Sequence, residues 1–80
     1  MQYNKETNQE KIKEKAKFYF EEGLKCHVQL IPTDFINGKF LSGLNEEKYF
    51  WFEDSRNPGK RRRLFLVEIF DINDYEELAK

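Results

Sequence analysis

The sequence holds a single cysteine, Cys26. That excludes an internal disulfide framework and a zinc site built from several thiolates. Cys26 reads as a reduced core residue, because a reactive pair with His27 would need consecutive strand residues to share a face. His27 is the only histidine and reads as an ordinary residue on a polar strand face. Long apolar runs are missing as well. The longest fall far short of the roughly 20 residues a membrane-spanning helix needs, and no signal-peptide pattern is visible. A cytoplasmic protein without membrane contact is therefore the expectation. Excess charge is also missing: the formal net charge is -1 over 80 residues. Attraction to nucleic acid or membrane has to come from local patches.

What is present is aromatic mass, 16% of the residues. Each such ring buries on the order of 150–250 Å², which offsets the thin stability margin of a short chain. Hydrophobic content of 39% and charged content of 36% fit one folded domain rather than disorder.

The chain divides into one helix and about five short strands. Residues 1–7 read as a frayed polar lead. Thr7 with Glu10 forms a capping box, and Ile12, Ala16, Tyr19 and Phe20 recur at helical spacing as one apolar stripe. Gly23 is placed to cap the helix in a left-handed conformation. Leu24 to Ile31 alternates, with Leu24, Cys26, Val28 and Leu30 on the buried face. Pro32-Thr33-Asp34 is a turn, and Phe35 to Leu44 is a second strand. Asn37-Gly38 reads either as a hairpin turn or, preferably, as a glycine inside a sharply bent strand. Asn45-Glu46-Glu47 is a polar connection. Lys48 to Asp54 is a third strand with aromatics on both faces, expected to be central and covered on both sides. Asn57-Pro58-Gly59 lies in a turn-rich loop. Arg61 to Phe70 is a fourth strand, Asp71 to Tyr75 a short fifth strand or corner, and Glu76 to Lys80 a tail.

The organising stretch is Lys60 to Ile72, K-R-R-R-L-F-L-V-E-I-F-D-I. It sets four cations against a nearly continuous apolar run and reads as a central strand entering a core from a basic loop. One helix plus a curled sheet of this size implies a mainly β, five-stranded, strongly bent antiparallel barrel with an N-terminal α-helix, in one domain.

Four segments carry a family resemblance. They are His27-Val28-Gln29-Leu30; Phe35-Ile36-Asn37-Gly38-Lys39-Phe40-Leu41; Phe52-Glu53-Asp54; and Phe65-Leu66-Val67-Glu68-Ile69-Phe70-Asp71-Ile72-Asn73-Asp74-Tyr75. In order and spacing the chain resembles the Sm-like (LSm) family, closest to its divergent small archaeal and viral members. The likeness implies an SH3-like barrel, often assembled into rings by pairing strand four of one subunit with strand five of the next. It also implies uridine- or adenine-rich RNA as ligand. The family's RNA-reading positions fall here on Asn45, Tyr49, Phe65 and Leu66, which are not the family's residues. The resemblance thus carries over the fold and no functional residue.

Two patches remain as candidates for function. Arg56, Lys60, Arg61, Arg62 and Arg63 form a basic cluster with no acid among them. It reads either as a phosphate-binding surface backed by neighbouring aromatics or as a solvated loop guarding a hydrophobic strand edge. Glu68, Asp71, Asp74, Glu76 and Glu77 form an opposing acidic end, neutralised within the subunit or orienting head-to-tail subunits. Phe65, Val67, Phe70, Ile72 and Tyr75 are the expected subunit interface. Single-stranded RNA and further copies of the chain are the expected partners. The paired carboxylates Glu46-Glu47, Glu53-Asp54 and Glu76-Glu77 lack an accompanying base, nucleophile or phosphate loop. Neither an enzyme nor a bound cofactor or metal is expected.

Overall fold

Lys and Glu dominate the first structured segment, and both favour helix. The computed structural model, which describes residues 5–75, places α1 at Lys5–Glu22. Thr7 is therefore inside the helix and not at its cap, and residues 5–7 belong to α1 and not to a frayed lead. Ile12, Ala16 and Tyr19 are buried as read, but Phe20 is 39% exposed. It stands on the flank of the stripe beside Lys13, Lys17 and Leu44. Gly23 takes φ 66°. Its N–H bonds the Phe20 carbonyl at 3.2 Å, and the Leu24 N–H bonds the Tyr19 carbonyl at 3.1 Å, the pairing of a Schellman C-cap. That cap leaves Leu24 outside β1 and 43% exposed, not on the buried face.

Five strands follow: β1 Cys26–Leu30, β2 Asp34–Phe40, β3 Tyr49–Asp54, β4 Arg61–Phe65 and β5 Ile69–Asp74. Neighbouring strands are antiparallel, in the order β4-β3-β2-β1-β5. The sheet is not closed into a barrel, since β4 and β5 are its two ends and do not pair with each other. The expectation of a closed barrel is corrected accordingly. The sheet is nevertheless bent, because only the 3-10 turn Leu66–Glu68 separates β4 from β5. Three residues reach on the order of 10 Å, so the two ends must approach each other at that corner.

The same turn overturns the reading of Lys60 to Ile72 as one central strand. The stretch supplies both edge strands, with a break between them, and Arg61 to Arg63 lie in β4 itself and not in a loop. Glu68 makes the break. Its Oε2 accepts the Phe65 N–H at 2.8 Å, and its carbonyl accepts the Ile31 N–H at 2.8 Å. β2 ends at Phe40, short of the expected Leu44. Gly38 lies inside β2, opposite Cys26 and Asp54, so the hairpin reading of Asn37-Gly38 does not hold.

Strand parity, reset in β5 by the irregularity between Ile69 and Asp71, sends Cys26, Val28, Leu30, Ile36, Phe40, Phe50, Phe52, Leu64, Ile69 and Ile72 into one core beneath α1. Phe40 packs edge-on against Phe50 and Phe52, with centroids 5.0 Å apart in each pair. Lys15 reaches Asp71 at 2.8 Å, and the Tyr19 hydroxyl donates to Asp74. Burial, then the Asp74 hydrogen bond and charge, push the Tyr19 phenol above its ordinary range. Burial, with a smaller contribution from Asp74, pushes the Cys26 thiol up to about 12. A thiol so protonated is an inert core residue.

Candidate nucleic-acid interface

The residues that alternate with the core on β3 and β4 face outward. Glu53, Trp51 and Tyr49 stand directly opposite Arg61, Arg63 and Phe65. Diagonal neighbours on one sheet face are within reach of long side chains, and both arginines use that reach. The Arg61 guanidinium lies 4.8 Å from the Trp51 ring centroid, and that of Arg63 lies 5.5 Å from Tyr49. Tyr49 meets Trp51 at 5.5 Å and Phe65 at 5.3 Å. The outer face is thus an alternating ladder of guanidinium and ring. Such stacks contribute about 0.5–1 kcal/mol at exposed sites and leave the N–H edges of the arginine fork free to donate. β3 is therefore not covered on both sides by core: Phe50 and Phe52 are buried, while Tyr49 and Trp51 are half-buried under arginines.

The five basic residues do not act as one cluster. Arg56 sits in the loop beside Asp54, at 3.7 Å. Arg62 alternates to the other side of β4 and meets Glu68 at 3.8 Å. Lys60, Arg61 and Arg63 have no carboxylate partner among the described residues. Opposite Arg61, Glu53 turns its Oε2 to the Gly59 N–H at 2.7 Å. The acidic end is largely spoken for within the chain, Glu68 by Arg62, Asp71 by Lys15 and Asp74 by Tyr19. Glu76 and Glu77 lie outside the described residues.

The expected interface residues separate in the same way. Phe65, Val67 and Phe70 are 39%, 59% and 48% exposed. Val67 and Phe70 line an apolar groove of about 710 Å³ with Ile31, Pro32 and Leu66. Ile72 is wholly buried in its own core and is removed from the interface set, because it stands directly opposite buried Val28 of β1 and shares its inward face. Tyr75 is half-buried beneath the Lys25 ammonium, 4.6 Å from the ring centroid.

Asn45, where the sequence resemblance aligns an RNA-reading residue, is committed to its own turn. Its Oδ1 accepts the Glu47 and Tyr49 N–H groups at 2.9 and 3.1 Å. His27 is more engaged than an ordinary surface residue, with Nδ1 2.6 Å from Asn37 Oδ1 and its ring 5.2 Å from Phe35. An amide carbonyl oxygen only accepts, so Nδ1 is the donor in this pair. Alternation in the sequence sets Gln29 on the polar face with His27, as found, but sequence reasoning missed Phe35 as a surface group, although the parity set by Ile36 was a usable signal. Among the described residues no helix is long and apolar enough to cross a membrane, and no group of three or more His, Cys, Asp or Glu could hold a metal ion. A scan against protein-family models and a search of curated proteins return no match for this chain.

Proposed function

We propose that the chain is an Sm-like, non-enzymatic module that binds single-stranded RNA across the outer face of β3 and β4. The observation carrying this reading is the ladder of Arg61, Trp51, Arg63 and Tyr49, in which neither arginine pairs with a carboxylate among the described residues. Guanidinium forks bind phosphate oxygens bidentately, and exposed rings stack on unpaired bases without demanding a sequence. The helix followed by a bent five-stranded sheet with β4 and β5 at its free ends supports the Sm-like part of the reading. The test is a titration of uridine-rich and adenine-rich single-stranded RNA at two salt concentrations. Arg61→Ala with Arg63→Ala should weaken binding to every sequence and flatten the salt slope by about 1.4, at roughly 0.7 per phosphate on a single strand. No wild-type binding at low salt removes the reading.

A second reading is self-assembly, favoured by the exposed apolar residues Phe65, Val67 and Phe70 beside the two strand edges that no described strand pairs with. Unpaired edges are templates for another strand. Joining the β4 edge of one copy to the β5 edge of the next is a heterologous contact, which closes into a ring when the rotation permits. Light scattering decides it: a monomer at high concentration removes this reading and leaves the first intact.

A further inference from the structure

We infer that a hollow between β1, β2 and β5 is a recognition pocket for an RNA base bearing an exocyclic amino group. This rests on the RNA-binding reading and adds base selectivity to it. The hollow measures about 270 Å³ and is walled by His27, Phe35 and Phe70, with Gln29, Thr33 and Asp34 among its lining. It opens on the same outer face as the arginine ladder. His27 and Gln29 alternate with buried Cys26, Val28 and Leu30, as Phe35 and Asn37 do with Ile36. β1 and β4 are three strand spacings apart, roughly 14 Å, so one short RNA strand spans both features.

The chemistry of the lining selects a base. Phe35 and Phe70 are 51% and 48% exposed, large rings left to solvent where a planar heterocycle can stack. Among the described residues no Lys or Arg lines the hollow, and Asp34 places a carboxylate at it. A phosphate is therefore disfavoured inside, and the backbone stays with the arginines. The Gln29 amide makes no side-chain hydrogen bond among the described residues, unlike Asn37, which holds His27. A carboxamide with both its donor and acceptor unspent matches the paired amino donor and ring-nitrogen acceptor of adenine. The Asp34 carboxylate accepts the Phe35 N–H through Oδ1, which leaves Oδ2 to accept from an amino group. Uracil offers a carbonyl where adenine and cytosine offer that amino group, so it loses these contacts.

Phosphate-free nucleosides separate the pocket from the arginines. Adenosine and cytidine at millimolar concentration should shift the NMR signals of the Gln29 side-chain amide and the His27 ring, and uridine several-fold less. Gln29→Ala should abolish that preference and leave the RNA salt slope unchanged. Phe35→Ala, at an exposed position, should weaken all nucleosides about tenfold. Arg61→Ala with Arg63→Ala should lose RNA and keep the nucleoside shifts. RNA binding by the wild type with no nucleoside shift, or with equal shifts from adenosine and uridine, overturns the pocket alone. Nucleoside shifts without RNA binding support the pocket and remove the RNA reading.

Discussion

Gly38 of β2 lies directly against the backbone of Glu53 in β3. A Cβ at Gly38 would fall 1.9 Å from the Glu53 carbonyl oxygen and 2.9 Å from the Phe52 ring. Backbone cannot swing aside as a side chain can, so Gly38→Ala must push two strands apart. The expected cost is about 3 kcal/mol or more, at the upper end of overpacking penalties. It should appear as a lower urea midpoint with an unchanged slope. A wild-type midpoint would show that β2 and β3 do not approach so closely.

Alkaline pH should destabilise the fold through Cys26 and Tyr19. Folded, the thiol keeps its proton up to about 12 and the phenol beyond its ordinary range. Unfolded, they release their protons near about 8.5 and 10. Above about pH 8.5 the unfolded state therefore binds fewer protons, and stability falls as pH rises, by up to about 1.4 kcal/mol per pH unit for each group. Below that pH the contribution of both groups is fully present. Cys26→Ala should delay the onset toward the phenol range, read from urea midpoints across the alkaline series. An onset unchanged by the substitution would assign the effect elsewhere.

Trp51 is the only tryptophan and lies under Arg61, so its fluorescence reports on the ladder. RNA should quench it. Arg61→Lys keeps the charge and loses the planar stack. Affinity should fall several-fold while the salt slope stays as it is. Equal affinity in the lysine variant would mean that charge alone matters at this position.

Val67 is 59% exposed and does not line the base pocket. Val67→Asp should lower the solution mass of any assembly by burying a charge against apolar surface. The nucleoside shifts should remain. An assembly of unchanged mass would exclude the Val67 groove from the contact.

Much of the fold could be read from residue order. Alternation around Val28 put Cys26, Val28 and Leu30 inside, and Gly23 marked the helix end as a residue tolerant of positive φ. The β4–β5 break could not be read. Leu64-Phe65-Leu66-Val67 carries no glycine, proline or polar interruption, and the turn there is made by Glu68 bonding Phe65 and, across the chain, Ile31. The arginines were legible as charge but not as position: parity from buried Leu64 sends Arg61 and Arg63 outward and Arg62 away. The base pocket was least legible. It needs the register of three strands, including the irregularity where β5 passes Gln29 and Leu30.

Glu68 ties two segments at one point: β4, at Arg62 and Phe65, through its carboxylate, and the turn after β1 through its carbonyl. The two free margins of the sheet consequently share one hinge, and neither can tilt without carrying the other. A neighbour seated along one margin sets the angle offered to the next. The number of copies in a closed assembly would then be written in the pitch of this corner, and Glu68→Ala would alter stoichiometry before it altered folding.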